Sequence, residues 1–307
     1  MPEPPRLGGD NLALFAYADI VSDLERVRIA TSNRLFDLTR NNDPDNITVD
    51  PDGVVRGGGL DGDHPDAIKL TRIRDGLAGV EHQAILELQK AMRHHPLGPW
   101  LKAQKGIGEK QGARLLAAIG DPYWNSLHDR PRTVSELWAY CGLHTLPAGH
   151  AGVDTQPPNA SGDQLPAGHG DGDTHTASAG RNQTDHTGGQ ASLDTHISLA
   201  PGVAARRQKG QKANWSSEAK MRAYLIAESC MKQPSGTPYR DLYERGRLKY
   251  AEALHPYPCV RCGPAGKPAA VGTPLSAGHQ HARSLRLVSK EILKDLWREA
   301  KRVREGA

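Results

Sequence analysis

Residues 101–120 constrain this chain more than any other stretch. They read Leu101-Lys-Ala-Gln-Lys-Gly-Ile-Gly-Glu-Lys-Gln-Gly-Ala-Arg-Leu-Leu-Ala-Ala-Ile-Gly120. Gly106 and Gly108, with Ile107 between them, predict a tight turn joining two helices. Glycine permits φ > 0 there and lets the backbone come close to a partner. The turn opens a helix whose free N–H groups and positive dipole end favour a phosphate. Lys105, Lys110 and Arg114 flank it with positive charge. This is the pattern of a helix-hairpin-helix, a module that grips nucleic-acid backbone without reading bases. The competing reading is an ordinary turn between packed helices. On the first reading, Lys105, Gly106, Ile107, Gly108, Lys110 and Arg114 are expected to contact DNA.

The 307 residues suit about two domains. Aromatics make up only 5% against 33 glycines and 22 prolines, so part of the chain is expected to stay outside any core. The net charge of +4 permits nucleic-acid binding without demanding it. Its distribution says more. No lysine occurs between Lys110 and Lys209, whereas Arg206 to Arg222 and Arg283 to Arg304 are densely basic. Clustered cations neutralise phosphates and release counterions. Within the first cluster, Arg206, Arg207, Lys209 and Lys212 are further candidate DNA contacts. The four cysteines are too few for a disulfide scaffold and suit a reducing compartment. Neither a leader segment nor an apolar run of bilayer length is legible. The expected location is the cytoplasm, with the nucleoid as the site when DNA is bound.

Hydrophobic spacing gives the organisation. Leu14, Tyr17, Val21, Leu24, Leu35 and Leu38 alternate threes and fours, broken by Arg28 and Thr31. They predict an amphipathic helix with a coiled-coil-like seam. Residues 41–66 form an acidic, glycine-rich loop. Helical spacing resumes at Leu70, Ile73, Leu77, Val80, Ala84 and Leu88, and the two segments are expected to pair as a hairpin within residues 1–98. Such N-terminal helices suit a homodimer. Residues 99–143 form the helix-hairpin-helix part. Thr133 or Ser135 can cap a helix from Val134 to Tyr140, and Cys141-Gly142-Leu143 stops it. Residues 144–203 are foreign in composition, with six histidines, many Asp, Gly, Ser and Thr, and a repeated Leu-Pro-Ala-Gly-His. They read as a disordered insertion, with weak metal sequestration as the competing reading. Residues 204–307 return to basic helices: one after Ser216 or Ser217, one after Thr237-Pro238, and a last one from near Gly278 to Ala282. The expected fold is all-α.

Between the last two helices lies a cysteine and histidine knuckle, residues 255–281. Cys259-Val-Arg-Cys262 fits adjacent corners of a tetrahedral zinc site. His279 and His281 are the nearest downstream ligands, and His255 is the upstream alternative. A structural zinc ion is expected, stapling a loop too polar to hold itself.

The order of these motifs resembles the helical half of the DEDD transposases, insertion-sequence recombinases related to the pilin-gene invertase. The resemblance covers roughly residues 70–143 and 203–300. It is carried by Lys105 to Asp121, by Leu137-Trp-Ala-Tyr-Cys-Gly-Leu143, by Lys209-Gly together with Lys220-Met-Arg-Ala-Tyr-Leu225, and by Pro238-Tyr-Arg-Asp-Leu-Tyr-Glu-Arg245. It implies DNA as the partner, with room for a guide RNA. It also implies a nuclease domain of RuvC type with paired acids on strands, and a Ser-Gly nucleophile soon after the Gly-Leu pair. Nothing before Leu70 has strand alternation. The nearest Ser-Gly, Ser161-Gly162, falls inside the insertion. No catalytic residue is therefore identified. The sequence favours a DNA-binding protein of transposase type, without membrane partners. A zinc-stapled, non-catalytic helical scaffold is the alternative.

Overall fold

The computed structural model describes residues 12–41, 47, 49, 51–55, 57–146, 203–204, 213–264 and 267–306. Among these, eight helices and four two-residue strands follow one another. Helices α1 (Leu12–Thr39) and α2 (Pro65–His94) precede the short α3 (Gly98–Ala103) and α4 (Glu109–Ile119). Strands β1 (Trp124–Asn125) and β2 (Arg130–Pro131) form a small hairpin before α5 (Val134–Tyr140). Strands β3 (Thr145–Leu146) and β4 (Val203–Ala204) pair, and α6 (Ser217–Met231), α7 (Pro238–Tyr250) and α8 (Ala277–Glu305) complete the order. The fold is all-α in character.

The chain divides into two units, residues 1–144 with 204–307, and residues 145–203. The second is described only at its ends, so the disorder expected of the insertion concerns residues outside the described set, as does Ser161. In the first unit, one apolar core runs from Leu14 and Val21 through Leu88, Leu101, Leu116 and Leu137 to Ile226, Leu285 and Leu296. The segments 1–98, 99–143 and 204–307 therefore share one interior.

Local chemistry explains the boundaries. Pro65 starts α2, where its missing N–H costs nothing, and the His64 ring accepts from the Asp66 amide. Thr133, rather than Ser135, caps α5 in a reciprocal capping box with Glu136. After it, the Leu143 amide bonds the Trp138 carbonyl at 2.8 Å, closing the helix at its glycine stop. Ser216 caps α6 and Ser276 caps α8.

The interruption of the α1 seam has a structural reason. Arg28 pairs with the buried Glu81 of α2, and Thr31 turns its hydroxyl back to the Val27 carbonyl. Glu81 also receives Lys110 of α4 at 3.7 Å. One turn earlier on α1, Glu25 accepts from Arg114 at 2.7 Å and Lys110 at 3.4 Å, while Ser22 accepts from Arg114 at 2.8 Å. Arg114 is only 3% exposed. Burial alone would raise the Glu25 carboxyl, but Arg114 and Lys110 hold it below its ordinary value.

Glu25→Ala leaves Arg114 buried with only Ser22 as partner. It should lower unfolding free energy by about 3 kcal/mol, read by chemical denaturation. Acid should destabilise the parent chain for a related reason. Glu136 is held at about 2, against 4.5 unfolded, by Arg130 and then by Thr133. A carboxyl depressed on folding stabilises above its unfolded value and loses that contribution as pH falls through its folded value. The denaturation midpoint should therefore drop between about pH 4.5 and pH 2. The drop should be smaller in Glu25→Ala, which lacks one of the depressed carboxyls.

Candidate metal centre and nucleic-acid interface

The loop between α7 and α8 is held by a short backbone ladder. The His255 amide donates to Thr273 at 2.9 Å, and Gly272 donates to His255 at 2.8 Å. Cys259 and Ala269 exchange both backbone bonds, at 3.0 and 2.8 Å. The Cys262 amide returns to the Cys259 carbonyl, making the knuckle. Gly263 is required next to it, because a Cβ there would run into the backbone at Lys267 and Ala269.

Four side chains converge inside this ladder. The ligand atoms of His255, Cys259, Cys262 and His279 all lie within 4.8 Å of one another. His279 Nδ1 is 3.4 Å from Cys262 Sγ and 3.7 Å from Cys259 Sγ. These separations match the edges of a tetrahedron, about 3.3–3.8 Å for bonds of about 2.0–2.3 Å. His255 is 2% exposed. Its Nδ1 lies 2.8 Å from the Thr273 carbonyl, which can only accept, so Nδ1 carries the proton and Nε2 the lone pair. That Nε2 is buried without a hydrogen-bond partner. A metal ion would supply its partner. The Cys262 thiol is brought to about 7: burial raises it, but other contacts, led by the Ser276 hydroxyl and then its backbone, outweigh that. A thiol so poised gives up its proton readily to a metal. The four residues can hold a metal ion.

The expected ligand set needs one correction. Cys259, Cys262 and His279 belong to the cluster, but His281 does not. Two residues along a helix point about 200° apart, so His279 and His281 cannot both face the knuckle. His281 instead places Nδ1 2.7 Å from the Tyr243 hydroxyl on α7. His255, the upstream alternative, takes the fourth corner. The H-x3-C-x2-C spacing carried that signal. Cys141 and Cys230 lie elsewhere in the core, where burial pushes both thiols up to about 12.

The glycine turn is built as two helices meeting at a bend, although α3 is only six residues long. Gly106 takes φ +93°, and a Cβ there would stand 2.8 Å from the Cys230 Cα on α6. Ile107 is buried under the turn, while Gly108 is exposed at the N-cap of α4. Gly106 and Ile107 thus face inward, and Lys105, Gly108 and the neighbouring Lys102 face outward. Lys110 and Arg114 do not flank an open surface. Both turn back to α1 and α2, because Glu25 and Glu81 wait there half-buried and buried. Arg206, Arg207, Lys209 and Lys212 lie outside the described residues.

The basic C-terminal helix is divided. Toward its end, Lys294 pairs with Glu291, Arg298 with Asp295 and Arg302 with Glu299. Arg304 reaches the buried Asp121 at 3.0 Å and stacks 4.0 Å from the centre of the Trp124 ring. These cations are internally matched. No helix of the described residues is long and apolar enough to cross a membrane.

No family model, curated protein or solved structure matches this chain.

Replacing His255 by Ala should remove the bound metal or leave it loosely held, and replacing His281 by Ala should retain it. Elemental analysis of both purified variants beside the parent chain checks this. Retention by the first and loss by the second would restore the ligand set drawn from proximity in sequence.

Proposed function

We propose that the chain is a DNA-binding protein of transposase type. It grips sugar-phosphate backbone at the α3–α4 turn and is stapled by zinc at the C-terminal knuckle. The observation that carries this reading is the outward side of the turn. Gly108 opens α4 with free space around its Cα, and Lys102 and Lys105 are exposed beside it without a carboxylate partner among the described residues. Helix N-terminus and cations together suit a phosphate oxygen. Glu109 in the first turn of α4 would oppose an anion, but Arg93 stands 3.8 Å from its carboxylate. The packing of the turn, with Gly106 against α6, explains how so short a first helix is held rigid for that task. Two thiolates and two imidazoles at tetrahedral spacing suit zinc above harder cations.

The same reading includes a homodimer. Ile20 and Val27 on α1, with Ile73 and Val80 on α2, leave apolar surface on the N-terminal hairpin. A second copy of that face would cover it, as in a coiled-coil seam. Sedimentation velocity of the parent chain and of Val27→Glu with Val80→Glu should show a dimer reverting to monomer.

Backbone binding predicts a steep salt dependence. Lys102→Gln with Lys105→Gln should weaken retention of a short duplex and make the slope of log affinity against log salt shallower by about 2. Anisotropy titrations of a labelled duplex at several salt concentrations read both quantities. A parent chain that retains no duplex at low salt would leave only the zinc-stapled scaffold. A parent chain that binds equally well without the two lysines would move the contact surface away from the turn.

A further inference from the structure

Three cations converge where α5 ends, α6 begins and α8 starts its long run. Arg286 donates from one terminal nitrogen to the Leu143 and His144 carbonyls, each at 2.7 Å. The His144 ring packs edge-on to Trp215, with centroids 6.2 Å apart. Lys220 lies over the same indole, its ammonium 5.0 Å from the Trp215 ring centre. Lys290, one turn beyond Arg286 on α8, sits 3.9 Å over Trp138, whose indole N–H donates to the Lys290 carbonyl at 2.9 Å. All three cations are half-buried. Among the described residues no carboxylate pairs with any of them. Burying like charges together is unfavourable unless a counter-charge arrives. The titration of the groups agrees. Burial lowers Lys220, and Arg286 and then Arg261 lower it further. Burial and then Arg286 lower Lys290. The His144 imidazole is pushed down by burial, then by Arg286, Lys220 and Lys290.

We propose that Lys220, Arg286 and Lys290 form a second phosphate-binding site for the nucleic-acid backbone, with the exposed Arg261 at its rim. This rests on the DNA-binding reading above and adds a contact surface separate from the α3–α4 turn. Arg286 is the fixed element, aimed by two carbonyls. The lysines, held over indole faces, are the adaptable ones, and ammonium groups there keep free N–H donors for a phosphate oxygen. Arg261 stands between the two knuckle cysteines, so the metal centre fixes the segment that presents it. In sequence, Arg206, Arg207, Lys209 and Lys212 precede Trp215 within ten residues.

The test compares the parent chain with Lys220→Gln plus Lys290→Gln, with Lys220→Arg plus Lys290→Arg, and with Arg261→Gln. Each is titrated with a labelled duplex across a salt series and melted with and without inorganic phosphate. The double Gln variant should bind about tenfold more weakly or worse, with a salt slope shallower by about 2. The Arg pair should keep the parent slope, and Arg261→Gln should lose about 1 from it. Without phosphate the double Gln variant should melt no lower than the parent, because uncompensated charge has been removed. Phosphate should raise the melting temperature of the parent and leave that of the Gln pair unmoved. If the parent binds duplex but the Gln pair and Arg261→Gln keep its affinity and slope, the second site is wrong and the turn stands alone. If the parent binds no duplex, both readings fall.

Discussion

The packing of the first unit turns on one partly buried network of charge. Arg28, Glu81, Lys110, Glu25 and Arg114 alternate in sign across α1, α2 and α4, and Ser22 extends the chain to Arg222 of α6 at 3.4 Å. Apolar stripes alone would let the N-terminal hairpin slide along the rest, since hydrophobic contact is non-directional. Paired charges with defined donors do not slide. Removing any one member leaves a partner desolvated and unmatched, so the network sets register more than it adds stability. Burial lowers Arg222 and Arg114 lowers it further, and Glu218 one turn away provides the compensating carboxylate. The turn between α3 and α4 is positioned by this network from one side and by the contact of Gly106 with Cys230 from the other.

A second constraint acts at the opposite end of the fold. The segment between α7 and α8 is exposed along much of its length, so it buries little surface with which to fix itself. Four converging ligands replace a core there. Because Ser276 both caps α8 and reaches Cys262 at 3.0 Å, the start of the longest C-terminal helix is tied to the cysteine and histidine cluster. The cluster and the helix that carries Arg286 and Lys290 are therefore mechanically connected.

The helices are legible in the sequence because their signals are local. Apolar spacing, Pro65, the Thr133 capping box and the glycine stop at Gly142 act within a few residues of one another. The knuckle cysteines are legible for the same reason. What is not legible depends on pairs far apart in the chain. Lys110 and Arg114 sit beside the glycine turn in sequence, and only the arrival of Glu25 and Glu81 from the N-terminal hairpin turns them inward. His281 lies only two residues beyond His279 in sequence, and helix geometry is what separates them. The short β1–β2 hairpin leaves no trace in the sequence because two-residue strands show no alternation. The sharing of one core by three segments is equally hidden, because composition marks the insertion and not the contacts across it.

Charge density along the sequence is thus a poor guide to which cations the fold leaves unmatched. Both dense basic runs contain cations that the fold already matches. Arg222 has Glu218, and the last turns of α8 have acids three residues away. Those pairs would have to be broken, at some desolvation cost, before they could serve a phosphate. Lys102 and Lys105 at the turn, and Lys220, Arg286 and Lys290 at the meeting of α5, α6 and α8, have no such competitor among the described residues. The fold pairs cations elsewhere, yet it half-buries Lys220, Arg286 and Lys290 near one another, the two lysines over indole faces and the arginine on two backbone carbonyls. On the DNA-binding reading proposed above, the distinction between matched and unmatched cations, rather than net charge, would separate a solvated basic helix from a binding surface.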